Sequence, residues 1–328
     1  MRPFSYVRVD TVDDAIAAMS RTPGAKLLGG GTNLVDLMKM DVEHPPVLID
    51  VNRLPLNTIE EHRGGLRIGA LVRNSDAAHN QLVRDRYPVL AEAMLAGASG
   101  QLRNMATMGG NLMQRTRCPY FYDPTYAECN KRAPGTGCAA IHGENRNHAI
   151  LGAGDHCIAT NPSDMSVALA VLDASVAVKG PHGERSIPIG TFHRLPGVTP
   201  HIETNLHPSE MIVAIDLPPL PFAARSHYLK IRDRNSYAFA LVSVATALDV
   251  ESGRIRHARI ALGGVAHKPW RVPEAEQMLI GQPATEASYN RAASAVLHGA
   301  RPYKHNAFKV QLAHRAIVRG LSATAALA

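Results

Sequence analysis

Lys26-Leu27-Leu28-Gly29-Gly30-Gly31-Thr32-Asn33-Leu34 sets three consecutive glycines between a short apolar run and a helical pattern. With no Cβ in the way, the backbone N–H groups of such a run approach an anion closely. Thr32 and Asn33 add side-chain hydrogen bonds, and a helix expected over residues 34–40 turns its positive end toward the loop. A strand at 26–28, a glycine turn and a helix read together as a pyrophosphate cradle in an α/β unit. Leu34 stands where the dinucleotide fingerprint asks for a third glycine, and no Gly-Lys-Ser/Thr follows for a P-loop. Taken alone, the stretch also satisfies a plain tight turn.

Upstream of this loop, Asp10 or Thr11 is placed to cap a helix carrying Val12, Ala15, Ile16 and Met19 on one face. Downstream, residues 46–51 read as a strand, and the Pro/Asn-containing stretch 52–57 reads as a boundary. Residues 1–55 are therefore expected to form one unit. A second, 56–221, holds a strand at 66–68, helices near 75–80, 87–96 and 165–172, and a hairpin around 179–189. Pro218-Pro219-Leu220-Pro221 closes it. The third unit, 222–328, starts with strand-like runs at 228–232, 241–250 and 255–262. Helical patterns follow at 274–280, 287–298 and 307–319, and the Ala-rich end, 322–328, is expected to fray. The class is α+β.

A second Gly/Asn/Thr cluster runs through Gly97-Ala98-Ser99-Gly100 and Thr107-Met108-Gly109-Gly110-Asn111. Two such clusters, far apart in sequence, suit one long ligand with two ends. Gly152-Ala153-Gly154 only mimics a dinucleotide motif, because Cys157 occupies its third glycine position and Asn161-Pro162 stops any helix.

Cys118, Cys129, Cys138 and Cys157 are the only cysteines of the chain. Such clustering asks for a metal or for disulfides. No C-x-x-C pair is present, which argues against a zinc ribbon or a bacterial ferredoxin spacing. Four thiolates still suit a 4Fe–4S cube or a tetrahedral zinc. The surrounding stretch, 115–158, is rich in Pro, Gly and Arg and poor in periodic apolar residues, so metal ligation is expected to supply its order.

LLGGGTNL at 27–34, ATMGGNL at 106–112 and NPSD at 161–164 together resemble the FAD subunit or domain of xanthine dehydrogenase-like molybdenum hydroxylases. YLKIRDRNSYAFALVSVA at 228–245 resembles the start of that family's C-terminal flavoprotein domain. GASGQLRN, RTRCPYFYDP and LGGVAHKPW look closest to the FAD subunit of bacterial aldehyde oxidoreductases, a subtype with an added 4Fe–4S cluster. The resemblance implies a vanillyl-alcohol-oxidase/PCMH-type FAD-binding fold of two α/β subdomains. A C-terminal α+β domain like that of the carbon monoxide dehydrogenase flavoprotein would follow. It implies FAD along Lys26 to Leu34, with Thr107, Gly110 and Asn111 in a second contacting loop. Asp164 would lie near the FAD hydroxyls, Ile212 beside the flavin and Lys230 close to the isoalloxazine. The four cysteines would hold the 4Fe–4S cluster. Two partners are implied: a large molybdopterin subunit that oxidises the substrate and a small subunit with two 2Fe–2S clusters. The acceptor would be soluble: a ferredoxin-like protein, a quinone or oxygen. The chain lacks an NAD-specific element, and its cysteine insert is absent from most of the family.

Composition narrows the alternatives. The formal charge of +7 is scattered, apart from a denser stretch between Arg103 and Arg146, and forms no stripe of the kind nucleic acid demands. No apolar run reaches the roughly 18 residues of a membrane span. Residues 1–7 carry no signal-peptide pattern, which makes the cytoplasm the default compartment. A partner with a twin-arginine signal would instead take the chain to the periplasm. The expected function is an oxidoreductase's electron-transfer flavoprotein subunit with no catalytic residue of its own. A stand-alone flavin oxidase and a metal-stapled assembly module are the rivals.

Overall fold

Thr11 opens the first helix: its hydroxyl accepts from the Asp14 amide at 3.1 Å, and Val12–Arg21 follows with Ala15, Ile16 and Met19 buried. A computed structural model describes residues 1–327 of the chain. The helix packs on a parallel sheet of β1 (Ser5–Arg8), β2 (Lys26–Leu28) and β3 (Val47–Asp50) in the order β1-β3-β2. The exposed strand β1 shows no sequence alternation that would have announced it. Leu71 and Met211, from the next unit, join the core of this one.

The second sheet is antiparallel. It contains β4 (Ile59–His62), β5 (Gly65–Gly69), β6 (Ser175–Gly180), β7 (Gly183–Pro188) and β8 (Met211–Leu217), ordered β4-β5-β8-β6-β7. Everything between Gly69 and Ser175, including all four cysteines, is one excursion from this sheet. The excursion returns through the helix Asp164–Val171, every residue of which is buried. Its sequence is apolar on all sides after the first turn, as a helix enclosed on all sides requires. Ser163 caps it, accepting from the Ser166 amide at 3.0 Å.

The third sheet is antiparallel too, with β9 (Ser226–Ile231), β10 (Val242–Glu251), β11 (Arg254–Gly263) and β12 (Trp270–Arg271) in the order β12-β11-β10-β9. Successive residues of a strand point to opposite faces. In β10, Val242 and Val244 enter a core with the helices Glu286–Val296 and Phe308–Ala325, while Ala245 and Ala247 enter the core around Asp164–Val171. The fraying expected from 322 onward is not seen up to Ala325. Thr324 is buried, its hydroxyl 2.6 Å from that of Thr246 on β10, so helix and sheet hold each other.

The cysteine stretch has one short helix, Pro119–Tyr122, in its first half. Its order comes from hydrogen bonds that periodicity does not report. Asn130 accepts from the Gly135 and Gly137 amides at 3.0 Å each, and Arg132 donates to the Tyr120 and Phe121 carbonyls at 2.8 and 2.9 Å. Lys309, fully buried, donates to the His148 carbonyl at 2.8 Å, and Asn306 to the Ala149 carbonyl at 3.2 Å. Besides any metal that would order this segment, protein donors near the start of the last helix already tie it to the C-terminal unit.

Arg271 on β12 grips Glu276 through two bonds, 2.7 and 2.9 Å, and the same buried carboxylate accepts from the Ile260 amide at 2.9 Å. Removing one partner of a buried pair strands the other, at a cost of about 3–5 kcal/mol. Arg271→Met should therefore lower the thermal midpoint measured by calorimetry. An unchanged midpoint would mean that the pair adds nothing.

Candidate functional site

The glycine run after β2 lies directly on the second Gly/Asn/Thr cluster. A Cβ added at Gly30 would run into the Met105 carbonyl, and one at Gly29 would come to 3.1 Å from the Thr107 hydroxyl. Gly31 takes φ +72°, a conformation that disfavours side chains. Thr107 in turn caps the helix Met108–Leu112, its hydroxyl accepting from the Gly110 amide at 3.1 Å. Gly30 thus serves a loop-to-loop contact, where the sequence suggested contact with an anion.

Side chains that no motif marked hold this junction. The Asn52 amide donates to the Leu28 and Gly29 carbonyls at 3.2 and 3.1 Å, and Arg73 bonds both Asn52 and the Met105 carbonyl. Asn52 is itself fixed by Asp50, which accepts from its side-chain amide at 2.7 Å. Burial would raise the Asp50 carboxyl, but hydrogen bonds from Tyr6, Asn52 and Arg8 outweigh it and hold the group at about 2. The only sequence signal here was the Pro/Asn stretch, read as a boundary.

A cavity of about 940 Å³ opens at this junction. That is near the top of the ~300–1,000 Å³ range of ligand sites. Lys26, Leu27, Gly29, Asn33, Leu34, Thr107, Gly110 and Ile212 line it. Leu28, Gly30, Gly31, Thr32 and Asn111 do not. Asn111 faces inward instead, donating to Asn74 at 2.7 Å and accepting from the Ser163 hydroxyl at 2.7 Å. A second cavity, about 400 Å³, shares Thr116, Thr160, Asn161 and Pro162 with the first, and Asp164 and Cys118 line it.

Lys230 lines neither cavity. Its ammonium donates to Asp164 at 2.8 Å and to the Ala96 carbonyl at 3.1 Å. Tyr228 donates to the other Asp164 oxygen at 2.6 Å, and burial first, then the Asp164 charge, raises its hydroxyl far above the usual range. Lys230 is therefore no free cation; its charge is met by Asp164.

A second charged group spans the first cavity's wall. Lys131 lies 2.7 Å from Glu203, and Arg115 pairs with both Glu203, at 3.3 Å, and Glu43. The Arg115 amide donates to the Asn33 side chain at 2.9 Å, which leaves the buried Asn33 amide nitrogen without a partner among the described residues. Burial would raise Glu203, but the Lys131 and Arg115 charges outweigh it and hold its carboxyl at about 2.

All four cysteines are free thiols, so neither disulfide alternative is formed. Cys129 and Cys138 face each other in an isolated antiparallel bridge, and the Cys118 sulfur lies 3.1 Å from His148 Nε2. The Cys157 thiol donates to Cys138, which lowers Cys138 and raises Cys157. Burial pushes Cys118 up to about 12. Yet among the described residues no three His, Cys, Asp or Glu side chains are arranged to hold a metal ion. The expected four-thiolate ligand set is therefore not laid out among the described residues.

Two interlocked loops at a strand–helix junction open on a large cavity between the first two units, an arrangement that suits a cofactor-binding protein. The family model described as the FAD binding domain in molybdopterin dehydrogenase matches residues 2–220, and that of the CO dehydrogenase flavoprotein C-terminal domain matches 227–324. The chain belongs to the family of FAD-binding subunits of molybdenum hydroxylases, and so is an oxidoreductase subunit. It is 52% identical, over 98% of each chain, to the aldehyde oxidoreductase FAD-binding subunit PaoB of Escherichia coli (strain K12). Carbon monoxide dehydrogenase from Hydrogenophaga pseudoflava superimposes with a TM-score of 0.77 at 27% identity, covering 99% of both chains. The enzyme from Oligotropha carboxidovorans, with a TM-score of 0.79 at 21% identity over 100% of this chain and 99% of that one, shares the fold. The expected pairing of an FAD-binding domain with a flavoprotein C-terminal domain is thus met.

The Glu203 carboxyl gives the site a pH dependence. Its folded value lies below the ordinary 4.5, so its stabilisation is present above that pH and is lost as pH falls toward about 2. Acid titration of unfolding should show up to about 3 kcal/mol less of this loss in Glu203→Gln than in the unmodified chain. Parallel pH profiles for the two would contradict the pairing.

Proposed function

We propose that the chain is the electron-transfer flavoprotein subunit of a heterotrimeric, molybdenum-containing aldehyde oxidoreductase. A large molybdopterin subunit oxidises the aldehyde, and a small subunit relays electrons through 2Fe–2S clusters to this chain. A soluble acceptor, whether a ferredoxin-like protein, a quinone or oxygen, then takes them. Family membership supports the assignment, as does the 52% identity to a subunit named for aldehyde oxidation. The medium-chain relatives of carbon monoxide dehydrogenase support the multi-subunit setting. The observation that carries the reading is the cavity of about 940 Å³ at the junction of the two glycine loops.

FAD fits this cavity by volume, by the side-chain-free backbone at its mouth, and by the unpartnered Asn33 amide nitrogen. Bound there, it would supply a store for two electrons that arrive one at a time. The chain's share is binding and tuning. In this reading the stretch Lys26 to Leu34 serves the pyrophosphate, with Lys26, Leu27, Gly29, Asn33 and Leu34 on the cavity and the rest shaping the loop behind them; Thr107 and Gly110 form the second contacting loop, which Asn111 braces from within. Asp164, on the adjoining second cavity, turns its remaining lone pairs to the FAD hydroxyls, Ile212 packs beside the flavin, and Lys230 acts on it through Asp164. Because Lys230 and Asp164 are already paired at 2.8 Å, they present a net neutral unit. Reduced flavin would gain less from it than from a free cation.

Cys118, Cys129, Cys138 and Cys157 are proposed to hold a 4Fe–4S cluster. The donor chemistry supports this: one excursion carries four free thiols, and Cys129 and Cys138 face each other across a backbone bridge. The arrangement does not yet fit, since the sulfurs are not set out as ligands. No helix among the described residues is long and apolar enough to cross a membrane.

Acid precipitation of the purified complex tests the cofactor assignments together. FAD should appear in the supernatant at one per chain, and Cys129→Ser should lose about four irons per complex while keeping its flavin. Flavin that stays with the pellet would contradict noncovalent binding. Unchanged iron in Cys129→Ser would remove the cluster.

A further inference from the structure

Glu203 belongs to a flap, residues 193–204, that walls one side of the large cavity through His193, Arg194, Pro200 and Ile202 among others. The flap's stem is closed by the Arg194 amide donating to the Glu203 carbonyl at 2.9 Å and by a bridge between His193 and Thr204. Its turn is closed by the Thr199 amide on the Pro196 carbonyl at 2.9 Å. Its larger apolar side chains do little to hold it down: Leu195, Val198 and Ile202 are 40%, 78% and 40% exposed. The strong attachments are ionic and reach it from elsewhere. Lys131, its side chain only 5% exposed, contacts Glu203 at 2.7 Å and donates to the Pro200 carbonyl at 2.9 Å. Arg115 adds contacts to Glu203 at 3.3 and 3.4 Å.

Both cations lie in the cysteine-bearing stretch. Lys131 follows Cys129 by two positions, and Arg115 stands at the start of the stretch, where its amide also fixes Asn33 of the glycine run. One short segment therefore grips both the flap and the first glycine loop, on either side of the same cavity. A buried charge pair is costly to break from one side, so the grip is strong only while both cations stay in place.

We propose that Arg115 and Lys131 are positioning residues that lock the flap over the cofactor cavity through Glu203, making FAD retention depend on the cysteine-bearing segment. This rests on the reading of the cavity as the FAD site. Its test uses the assembled complex with Lys131→Met and, separately, Glu203→Gln, which keeps the side chain's shape. Two quantities are followed: the rise of free-flavin fluorescence after dilution, and trypsin cleavage after the exposed Arg194, which reports on the flap itself. Both variants should release FAD at least about tenfold faster, and both should be cut faster after Arg194. A variant that holds FAD as long as the unmodified complex and resists cleavage equally overturns the lock. If Lys131→Met does not assemble, Glu203→Gln decides the outcome by the same two measurements. An unmodified complex that carries no FAD at all defeats the cofactor reading instead, and so separates the two failures.

Discussion

Between Gly30 and the carbonyl of Met105 there is no room for a side chain, and the two loops that open the large cavity can meet only because of that. The contact fixes where β2 hands over to the helix Leu34–Lys39 and where Thr107 begins the helix Met108–Leu112. Arg73 and Asn52 then tie the same backbone from the flank, and Asp50 orients Asn52. The junction brings Gly29, Gly109 and Gly110 to the cavity wall, where no side chain covers their backbone. That is the arrangement an anionic cofactor needs.

Charge is handled throughout by pairing across long sequence distances. Asp164 meets Lys230 and Tyr228, Glu203 meets Lys131 and Arg115, and Asp216 meets Arg67. Desolvating any of these groups alone would cost several kcal/mol, so each pair forces two segments to meet in one way. The large cavity is thus walled by separate excursions of the chain, which such pairs help to hold in register.

Much of the fold was legible because it is periodic. Ala15, Ile16 and Met19 recur at helical spacing and are buried, and the apolar segment ahead of Leu172 is a helix enclosed on all sides. β1 was not legible, since every residue of it is exposed and no alternation marks it. The glycine loops were legible as a pair, because glycine, threonine and asparagine cluster where the backbone must turn and cap. What they do to each other was not: the clash at Gly30 is with Met105, far away in sequence. Asn52 and Arg73 belong to no motif, and only the folded chain brings them to the loop. Four cysteines announced a sulfur cluster in space, but among the described residues no three of them are set out to hold a metal ion. The hydrogen bonds that order the stretch around them come from Asn130, Arg132 and Lys309, whose roles no spacing rule anticipates.

The central claim is that the junction at Gly30 builds the FAD site. It is tested most directly by measuring bound FAD per chain in Gly30→Ala beside Gly100→Ala, because a Cβ at Gly100 meets nothing within 4 Å. The account predicts that Gly100→Ala keeps one FAD per chain while Gly30→Ala, purified in the same way and still folded by circular dichroism, is largely empty. A Gly30→Ala protein with a full complement of FAD would contradict it.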